Sequence, residues 1–224
     1  MGQLMRLTAA DDHVFDTYRA VPTVVSKGGV AILQEAFGVN KHIQTVCDEY
    51  AAQGFVAMAP AIYDRQQRNA VFGYDEASME QARRLRRGLD YGQVLLDLDA
   101  VLKALRPEGR VGVVGYCVGG SAAWLAACRL KIDAASCYYP SDLRTQYREQ
   151  PKCPIIMHFA DKDRFVPQDV VAAFHQTHPD VPAFLYQGDH GFNCSDRVHN
   201  YNAEIARLAF ERTIALFTKH LISR

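Results

Sequence analysis

The amino-acid sequence predicts an α/β fold, with a mostly parallel central sheet and helices on both of its faces. Short strands alternate with amphipathic helices along the chain, and several strands are almost entirely apolar, as strands buried on both faces are. No repeat, low-complexity tract or long linker divides the 224 residues. We therefore expect one domain over residues 1–224.

The first half of the chain begins with edge strands and continues into the buried sheet. Alternating residues over 5–7 and 14–18 are typical of a hairpin at a sheet edge. The apolar run 29–34 predicts a strand, and Asn40 can cap the following helix, which Gly54 ends. The run 55–58 predicts the next strand. Residues 61–90 are polar and irregular, and they contain a basic cluster: Arg83, Arg84, Arg86 and Arg87.

The second half of the chain alternates more regularly. Apolar residues at spacings of three and four predict a helix over 91–105, and a strand follows at 110–114. The remaining predicted elements are a helix at 117–129, strands at 132–139 and 153–159, a helix at 168–175, a strand at 183–186 and a helix at 202–220. This order favours parallel strands joined by crossover helices.

Composition and charge exclude several classes of protein. Apolar residues make up 49% of the chain, which is enough to build a core and argues against disorder. Lys+Arg and Asp+Glu are both 25, so no basic field favours binding to nucleic acid. No apolar run is long enough to span a membrane, and residues 1–12 contain no apolar signal-peptide segment. We expect a cytoplasmic protein that is a monomer or a weak homo-oligomer.

The cysteines indicate neither disulfides nor a metal site. The six are Cys47, Cys117, Cys128, Cys137, Cys153 and Cys194, and no Cys/His spacing matches a zinc motif. Most lie in apolar runs, where a thiol behaves as a small buried hydrophobic group. We expect no metal ion and no other cofactor.

Cys117 is the exception, because it lies in a turn between a predicted strand and a predicted helix. The run Gly115-Tyr-Cys-Val-Gly-Gly120 matches the nucleophile-elbow pattern, with Cys in place of the usual Ser. Small residues two positions before and after the nucleophile allow the sharp turn. A helix N-terminus also favours the thiolate. The alternative interpretation is a buried structural Cys beside a glycine-rich packing turn.

A nucleophile elbow requires an acid and then a histidine further along the chain. Asp161 and Asp163 follow the strand that ends near residue 159, and Asp163 is favoured because a new element starts just after it. An Asx turn at the surface would explain either aspartate equally well. His190 lies between Asp189 and Gly191 in the loop after the 183–186 strand, a position typical of a functional His rather than of core packing.

Glu35 places a carboxylate at the end of the first buried strand. The loop at this position normally donates an oxyanion-hole N–H group, and a charge there is costly unless it is paired. A Glu in contact with the thiol would hold it protonated or accept its proton. A solvated or capping Glu is the alternative.

Four segments together resemble the dienelactone hydrolase (carboxymethylenebutenolidase) family of α/β-hydrolases. They are Gln34-Glu-Ala-Phe-Gly-Val-Asn40, Gly115-Tyr-Cys-Val-Gly-Gly120, Asp163-Arg-Phe-Val-Pro167 and His190-Gly-Phe192, in family order and at roughly family spacing. The resemblance implies hydrolysis of a small-molecule ester or lactone by a Cys117–His190–Asp163 triad, with Glu35 restraining the resting thiol. It also implies an oxyanion hole and a substrate pocket. The oxyanion hole would use the backbone N–H groups of Ala36 and Val118, and the pocket would contain Tyr138, Phe37 and Phe192.

The sequence departs from the family at two positions that bind the substrate carboxylate. Members that hydrolyse dienelactone use two arginines there, and the matching residues are Met79 and Cys194. Arg83 or Arg84 could replace the first arginine, and no residue is evident for the second. The expected substrate is therefore a neutral ester or lactone other than dienelactone.

Two further functions remain compatible with the sequence. A binding protein that has lost turnover could retain this fold, although Glu35, Cys117, Asp163 and His190 are all present. A thiol-based redox sensor could use Cys117, with Cys194 as the partner thiol.

Overall fold

A computed structural model of the protein describes residues 2–222. Its strands are β1 (Gln3–Thr8), β2 (Val14–Ala20), β3 (Gly29–Leu33), β4 (Val56–Pro60), β5 (Val111–Tyr116), β6 (Ala134–Tyr138), β7 (Ile155–Ala160) and β8 (Ala183–Tyr186). Its α-helices are α1 (Lys41–Ala52), α2 (Glu76–Arg87), α3 (Tyr91–Leu105), α4 (Val118–Arg129), α5 (Leu143–Gln146), α6 (Gln168–Thr177) and α7 (Ala203–Leu221).

The eight strands form one sheet in the order β1-β2-β4-β3-β5-β6-β7-β8. The first two strands form an antiparallel hairpin at one edge, and β2 is also antiparallel to β4. All strands from β3 to β8 that are neighbours in the sheet are parallel. Their carboxyl ends therefore lie along one edge, where active sites form in open α/β sheets.

Helices cover both faces of this sheet. On one face α1 packs beside α7, with the Tyr50 ring 5.3 Å from the Phe210 ring. On the other face α3 and α4 cover the central strands, and a Cβ atom on Gly29 of β3 would lie 2.8 Å from Leu105 of α3. Strands β3, β4, β5, β6 and β7 are buried throughout, which explains their continuous apolar sequences.

The predicted α/β-hydrolase fold and mostly parallel sheet are confirmed. The structure adds two helices that the sequence did not predict, the short α5 and α2. Residues 76–87, expected to be irregular, form helix α2. Asp75 caps it by accepting a hydrogen bond from the Ser78 N–H, and only Ala82 and Leu85 of the helix are buried. Two buried residues give too short an apolar stripe to predict a helix from periodicity.

No helix in residues 2–222 is both long enough and apolar enough to cross a membrane. All six cysteines are free thiols, and Cys153 is the most accessible of them.

Candidate active site

The candidate catalytic residues lie just beyond the carboxyl ends of four parallel strands. Leu33 of β3 pairs with Gly115 of β5, so Glu35 and Cys117 both lie two residues beyond the same level of the sheet. Asp163 follows β7 and His190 follows β8, which are neighbours in the sheet. Strand order thus brings together residues that are far apart in the sequence.

Two glycines allow the sharp turn between β5 and α4. A Cβ atom on Gly115 would lie 1.9 Å from the carbonyl oxygen of Gly119, and one on Gly119 would lie 2.3 Å from that of Leu33. The Gly119 N–H donates to the Gln34 carbonyl at 3.1 Å, which joins the elbow to the loop after β3. Both positions therefore require glycine for close backbone approach.

Cys117 lies at the tip of this turn, with φ 56° and ψ −115°. This backbone conformation is unfavourable for any residue with a side chain. Three hydrogen bonds hold it: the Cys117 N–H donates to Tyr138, and its carbonyl accepts from Ser121 and Ser141. The side chain lies at the N-terminus of α4, where the helix dipole favours a thiolate.

Ala36 and Val118, the residues predicted to form an oxyanion hole, lie near Cys117. Val118 is the first residue of α4, so its N–H has no acceptor within the helix. Ala36 lies on the loop after β3 and lines the same cavity as Cys117. These are the positions that the sequence analysis assigned to an oxyanion hole.

Asp163 holds the imidazole of His190 from behind. Its Oδ2 lies 2.7 Å from the His190 Nδ1, and its Oδ1 accepts hydrogen bonds from the N–H groups of Phe165 and Val166. The remaining ring nitrogen, Nε2, is buried and has no hydrogen-bond partner among the described residues. Asp163 therefore sets the ring orientation and leaves Nε2 available for proton transfer.

Opposing effects act on the pKa of His190. Burial lowers it, but the negative charge of Cys117 and the hydrogen bond to Asp163 together outweigh burial and raise the pKa to about 10. A raised pKa favours the protonated ring, which is the form that His190 has after it accepts a proton from a nucleophile.

Glu35 is buried, and its carboxylate accepts a hydrogen bond from the Tyr139 hydroxyl at 3.1 Å. No hydrogen bond joins Glu35 to Cys117 in residues 2–222. The Tyr139 ring also packs at 4.9 Å from the His190 ring. Tyr139 therefore contacts both the Glu35 carboxylate and the His190 imidazole, a position that the sequence analysis did not assign to it.

Tyr138, which the sequence analysis placed in the pocket, lies instead on the opposite side of the sheet. Its hydroxyl is within 2.9 Å of the Thr213 hydroxyl on α7, and its ring packs against His158. Its neighbour Tyr139, the first residue after β6, faces the site and donates its hydroxyl to Glu35. The expectation for Tyr138 is corrected in favour of Tyr139.

A cavity of about 340 Å³ opens beside Cys117 and His190. Met79 and Phe37 line it, as the sequence analysis expected. Phe192 does not line it, because this ring is fully buried and packs against Tyr139 at 5.0 Å. Phe192 therefore packs against Tyr139 and does not form part of the cavity wall.

Cys194 is also buried away from the cavity wall, and its Sγ lies 3.2 Å from the Tyr74 hydroxyl. It faces a second group of side chains around Glu35 and His42. The expected contact between Cys194 and a substrate is therefore not present.

Arginines surround the cavity, including Arg83, which the sequence offered as a replacement for the first arginine. Its lining includes Arg83, Arg86, Arg87, Arg164 and Arg197, and it excludes Arg84. Spacings of three and four residues place Arg83, Arg86 and Arg87 on one face of α2. The sequence predicted an irregular segment here, so it did not predict this shared face.

The five arginines that line the cavity differ in their ion pairs. Arg83 and Arg87 both contact Glu80, and Arg86 contacts Asp142. Arg164 and Arg197 have no carboxylate within 4.0 Å among the described residues. They lie over the rings of Phe165 and Phe37 at 5.0 and 5.6 Å, respectively.

Comparison with known proteins identifies a common family. The model of the dienelactone hydrolase family matches residues 15–221. A carboxymethylenebutenolidase of Pseudomonas putida is 31% identical over 215 residues, which cover 91% of each chain.

Solved structures resemble the chain over its whole length. One titled "Putative Dienelactone Hydrolase", from Klebsiella pneumoniae, has a TM-score of 0.83 at 26% identity and covers 97% of this chain and 100% of its own. An esterase of Pyrococcus furiosus has a TM-score of 0.69 at 15% identity, covers 99% of this chain and 93% of its own, and shows a shared fold only.

Proposed function

The chain belongs to the dienelactone hydrolase family of ester and lactone hydrolases, and we propose that Cys117 is its nucleophile. The observation that carries this proposal is the shared cavity of Cys117 and His190, with His190 held by Asp163 at 2.7 Å. Cys117 occupies the strained tip of the β5–α4 turn, as a nucleophile on an elbow does.

In the proposed reaction His190 takes the proton of Cys117, and the thiolate attacks the carbonyl carbon of the ester or lactone. The N–H groups of Ala36 and Val118 stabilise the negative oxygen of the tetrahedral intermediate. The C–O bond then breaks, and His190 returns the proton to the leaving alkoxide. Water, deprotonated by His190, hydrolyses the thioester and restores the thiol.

Glu35 is a positioning residue in this proposal and acts through Tyr139. The carboxylate accepts the Tyr139 hydroxyl proton in a hydrogen bond, and the Tyr139 ring packs on His190. We expect both Glu35→Gln and Tyr139→Phe to change the rate at which iodoacetamide alkylates Cys117. Unchanged alkylation in both variants would show that this pair does not influence the thiol.

The substrate is proposed to carry an anionic group. Arg197 is half-buried at the cavity, has no carboxylate partner among residues 2–222, and can offer paired charge-assisted donors. This replaces the expectation of a neutral substrate, which rested on Met79 and Cys194 alone. Arg164, at the exposed rim, would add to the positive potential that attracts such a substrate.

The nucleophile is tested with aryl esters and lactones. Cys117→Ala should remove turnover and leave the fold intact, and Cys117→Ser should retain a fraction of it, because His190 can also deprotonate a hydroxyl. Cys153→Ser is the matched control, since Cys153 lies outside the cavity. Turnover that survives in Cys117→Ala would contradict the mechanism.

The charge preference is tested with a lactone that carries a carboxylate and with its methyl ester. We expect a higher kcat/KM for the acid. Arg197→Gln should lower the value for the acid by about tenfold to a hundredfold, since a hydrogen bond to a charged group contributes about 1.5–3 kcal/mol.

The ester should be little affected by the same change. The control is Arg84→Gln, an exposed arginine on α2 outside the cavity. A preference for the methyl ester in the unmodified protein would restore the expectation of a neutral substrate.

A further inference from the structure

Beside the catalytic cavity, three buried side chains with metal-binding atoms meet. Glu35, His42 and Cys194 each offer one ligand atom, and these atoms lie within 4.8 Å of one another. Their residues are 3%, 4% and 0% exposed, respectively. They come from the loop after β3, the first turn of α1 and the loop after β8, so the fold alone brings them together.

The histidine is the most informative member of this group. Its Nε2 is buried and has no hydrogen-bond partner among the described residues. Buried polar atoms are normally paired, because leaving one without a partner costs free energy. A ligand that bound between these three side chains through Nε2 would satisfy this nitrogen.

Hydrogen bonds orient the other two groups. The Tyr74 hydroxyl accepts a hydrogen bond from the Asn40 side chain at 2.9 Å and lies 3.2 Å from the Cys194 sulfur. The Tyr139 hydroxyl donates to Glu35. Outer hydrogen bonds of this kind commonly orient the ligands of metal ions in proteins.

We propose that Glu35, His42 and Cys194 bind a divalent transition-metal ion of borderline softness, such as Zn²⁺. The set combines a carboxylate oxygen, an imidazole nitrogen and a sulfur, which suits zinc and excludes Mg²⁺ and Ca²⁺. The thiol releases its proton to solvent and binds as the thiolate, and water completes the coordination. This site does not depend on the proposed nucleophile.

The geometry requires a small adjustment of the side chains. A tetrahedral ion at about 2.0–2.3 Å from each ligand separates the ligand atoms by roughly 3.3–3.5 Å. Because the ligand atoms lie within 4.8 Å of one another, the approach that such an ion requires is at most about 1.5 Å for any pair.

A second cavity lies beside His42. A cavity of about 360 Å³ between α1 and the start of α7 is lined by His42 and by Asn193 and Ser195, the two neighbours of Cys194. A bound ion would also link the loop that carries Ala36 to the loop that carries His190. We therefore expect it to stabilise the fold.

The test is a titration with Co²⁺, followed by the charge-transfer absorption of a thiolate bound to the metal. The protein is first treated with a chelator, and Zn²⁺ is then added to compete. The unmodified protein, Cys117→Ala and Cys153→Ser should each bind one equivalent with this absorption. Cys194→Ser should lose the absorption, and His42→Gln should bind roughly tenfold or more weakly.

Thermal unfolding provides a second readout. Zn²⁺ should raise the Tm of the unmodified protein and of Cys117→Ala, but not that of His42→Gln or Cys194→Ser. If His42→Gln or Cys194→Ser fails to fold, the other of these two variants tests the site.

Two outcomes would overturn the proposal. Loss of the absorption in Cys117→Ala, with retention in Cys194→Ser, would place the ion at the nucleophile. The second outcome is the absence of thiolate absorption in the unmodified protein at millimolar Co²⁺. The ester assays with Cys117→Ala test hydrolysis by Cys117 separately.

Discussion

Residue 117 carries the proposed nucleophile and has a backbone conformation that is rare for a residue with a side chain. Its φ of 56° with ψ of −115° is one that glycine adopts readily and other residues do not. Such strain costs about 1–3 kcal/mol and persists only where surrounding hydrogen bonds hold it. The bonds to Tyr138, Ser121 and Ser141 perform this function here.

This strain can be measured by comparing two inactive variants. Cys117→Gly should be more stable to urea than Cys117→Ala, by about 1 kcal/mol. Relief of the backbone strain exceeds the roughly 0.5–1 kcal/mol that glycine loses through its freedom in the unfolded chain. Equal stability, or a more stable alanine variant, would show that the conformation is not strained.

At the scale of secondary structure, the site depends on close approach between α4 and β3. Gly119→Ala should destabilise the protein by about 1–3 kcal/mol, because its Cβ would overlap the Leu33 carbonyl. It should also lower kcat by displacing the Val118 N–H group. Gly92→Ala in α3 is the control and should cost less, since the only atom near the added Cβ is an oxygen of the Asp90 cap at 3.1 Å and not backbone. A Gly119→Ala variant with full stability and kcat would disprove this requirement.

The interface between β7 and α7 should make stability depend on pH. Burial, and then the charge of Arg212, lower the pKa of His158 to about 3. The unfolded chain takes up this proton near pH 6.5 and the folded protein only near pH 3, so stability falls as the pH decreases between these values. From pH 7 to pH 5 the loss due to this group is about 2 kcal/mol.

Urea unfolding at both pH values measures this loss. His158→Gln should reduce the difference between pH 7 and pH 5, and His175→Gln, which changes an exposed histidine, should not. If the His158 variant keeps the full difference, the acid sensitivity arises elsewhere.

At the scale of the whole molecule, one arginine joins three distant segments. Arg65, which follows β4, contacts Asp11 in the turn between β1 and β2 and Asp97 on α3, both at 2.7 Å. Asp97 is fully buried, and burial raises its pKa despite the hydrogen bonds from Arg65. Arg65 therefore neutralises the buried Asp97 carboxylate. Its ion pair with Asp11 connects the edge hairpin to the rest of the sheet.

Removing this arginine should be costly. Arg65→Met should lower the free energy of unfolding by about 3–5 kcal/mol, because it leaves the Asp97 carboxylate buried without a partner. The double variant Arg65→Met/Asp97→Leu should recover much of this loss. Arg207→Ala, which breaks an exposed pair with Glu211, should cost less than about 0.5 kcal/mol. If the single and double variants lose equal stability, packing rather than charge accounts for the effect.

The sequence by itself determined the order of the elements and the candidate triad. Apolar periodicity and helix caps such as Asn40 are local properties, so they specify strands and helices without any tertiary information. The elbow glycines identify Cys117 for the same reason, because a sharp turn restricts the residues around it. Parallel strands then require the residues that follow them, including Asp163 and His190, to lie on one edge of the sheet.

Only the tertiary structure decided which side chains meet. The choice of Tyr139 over Tyr138 depends on where β6 ends, and one residue reverses the face to which a side chain points. The arginines of α2 reach the cavity only because that segment is helical. Glu35, His42 and Cys194 meet because the loops after β3 and β8 converge beside α1, and their sequence spacing carries no sign of it. Contacts between distant residues depend on how the elements pack, which local patterns do not encode.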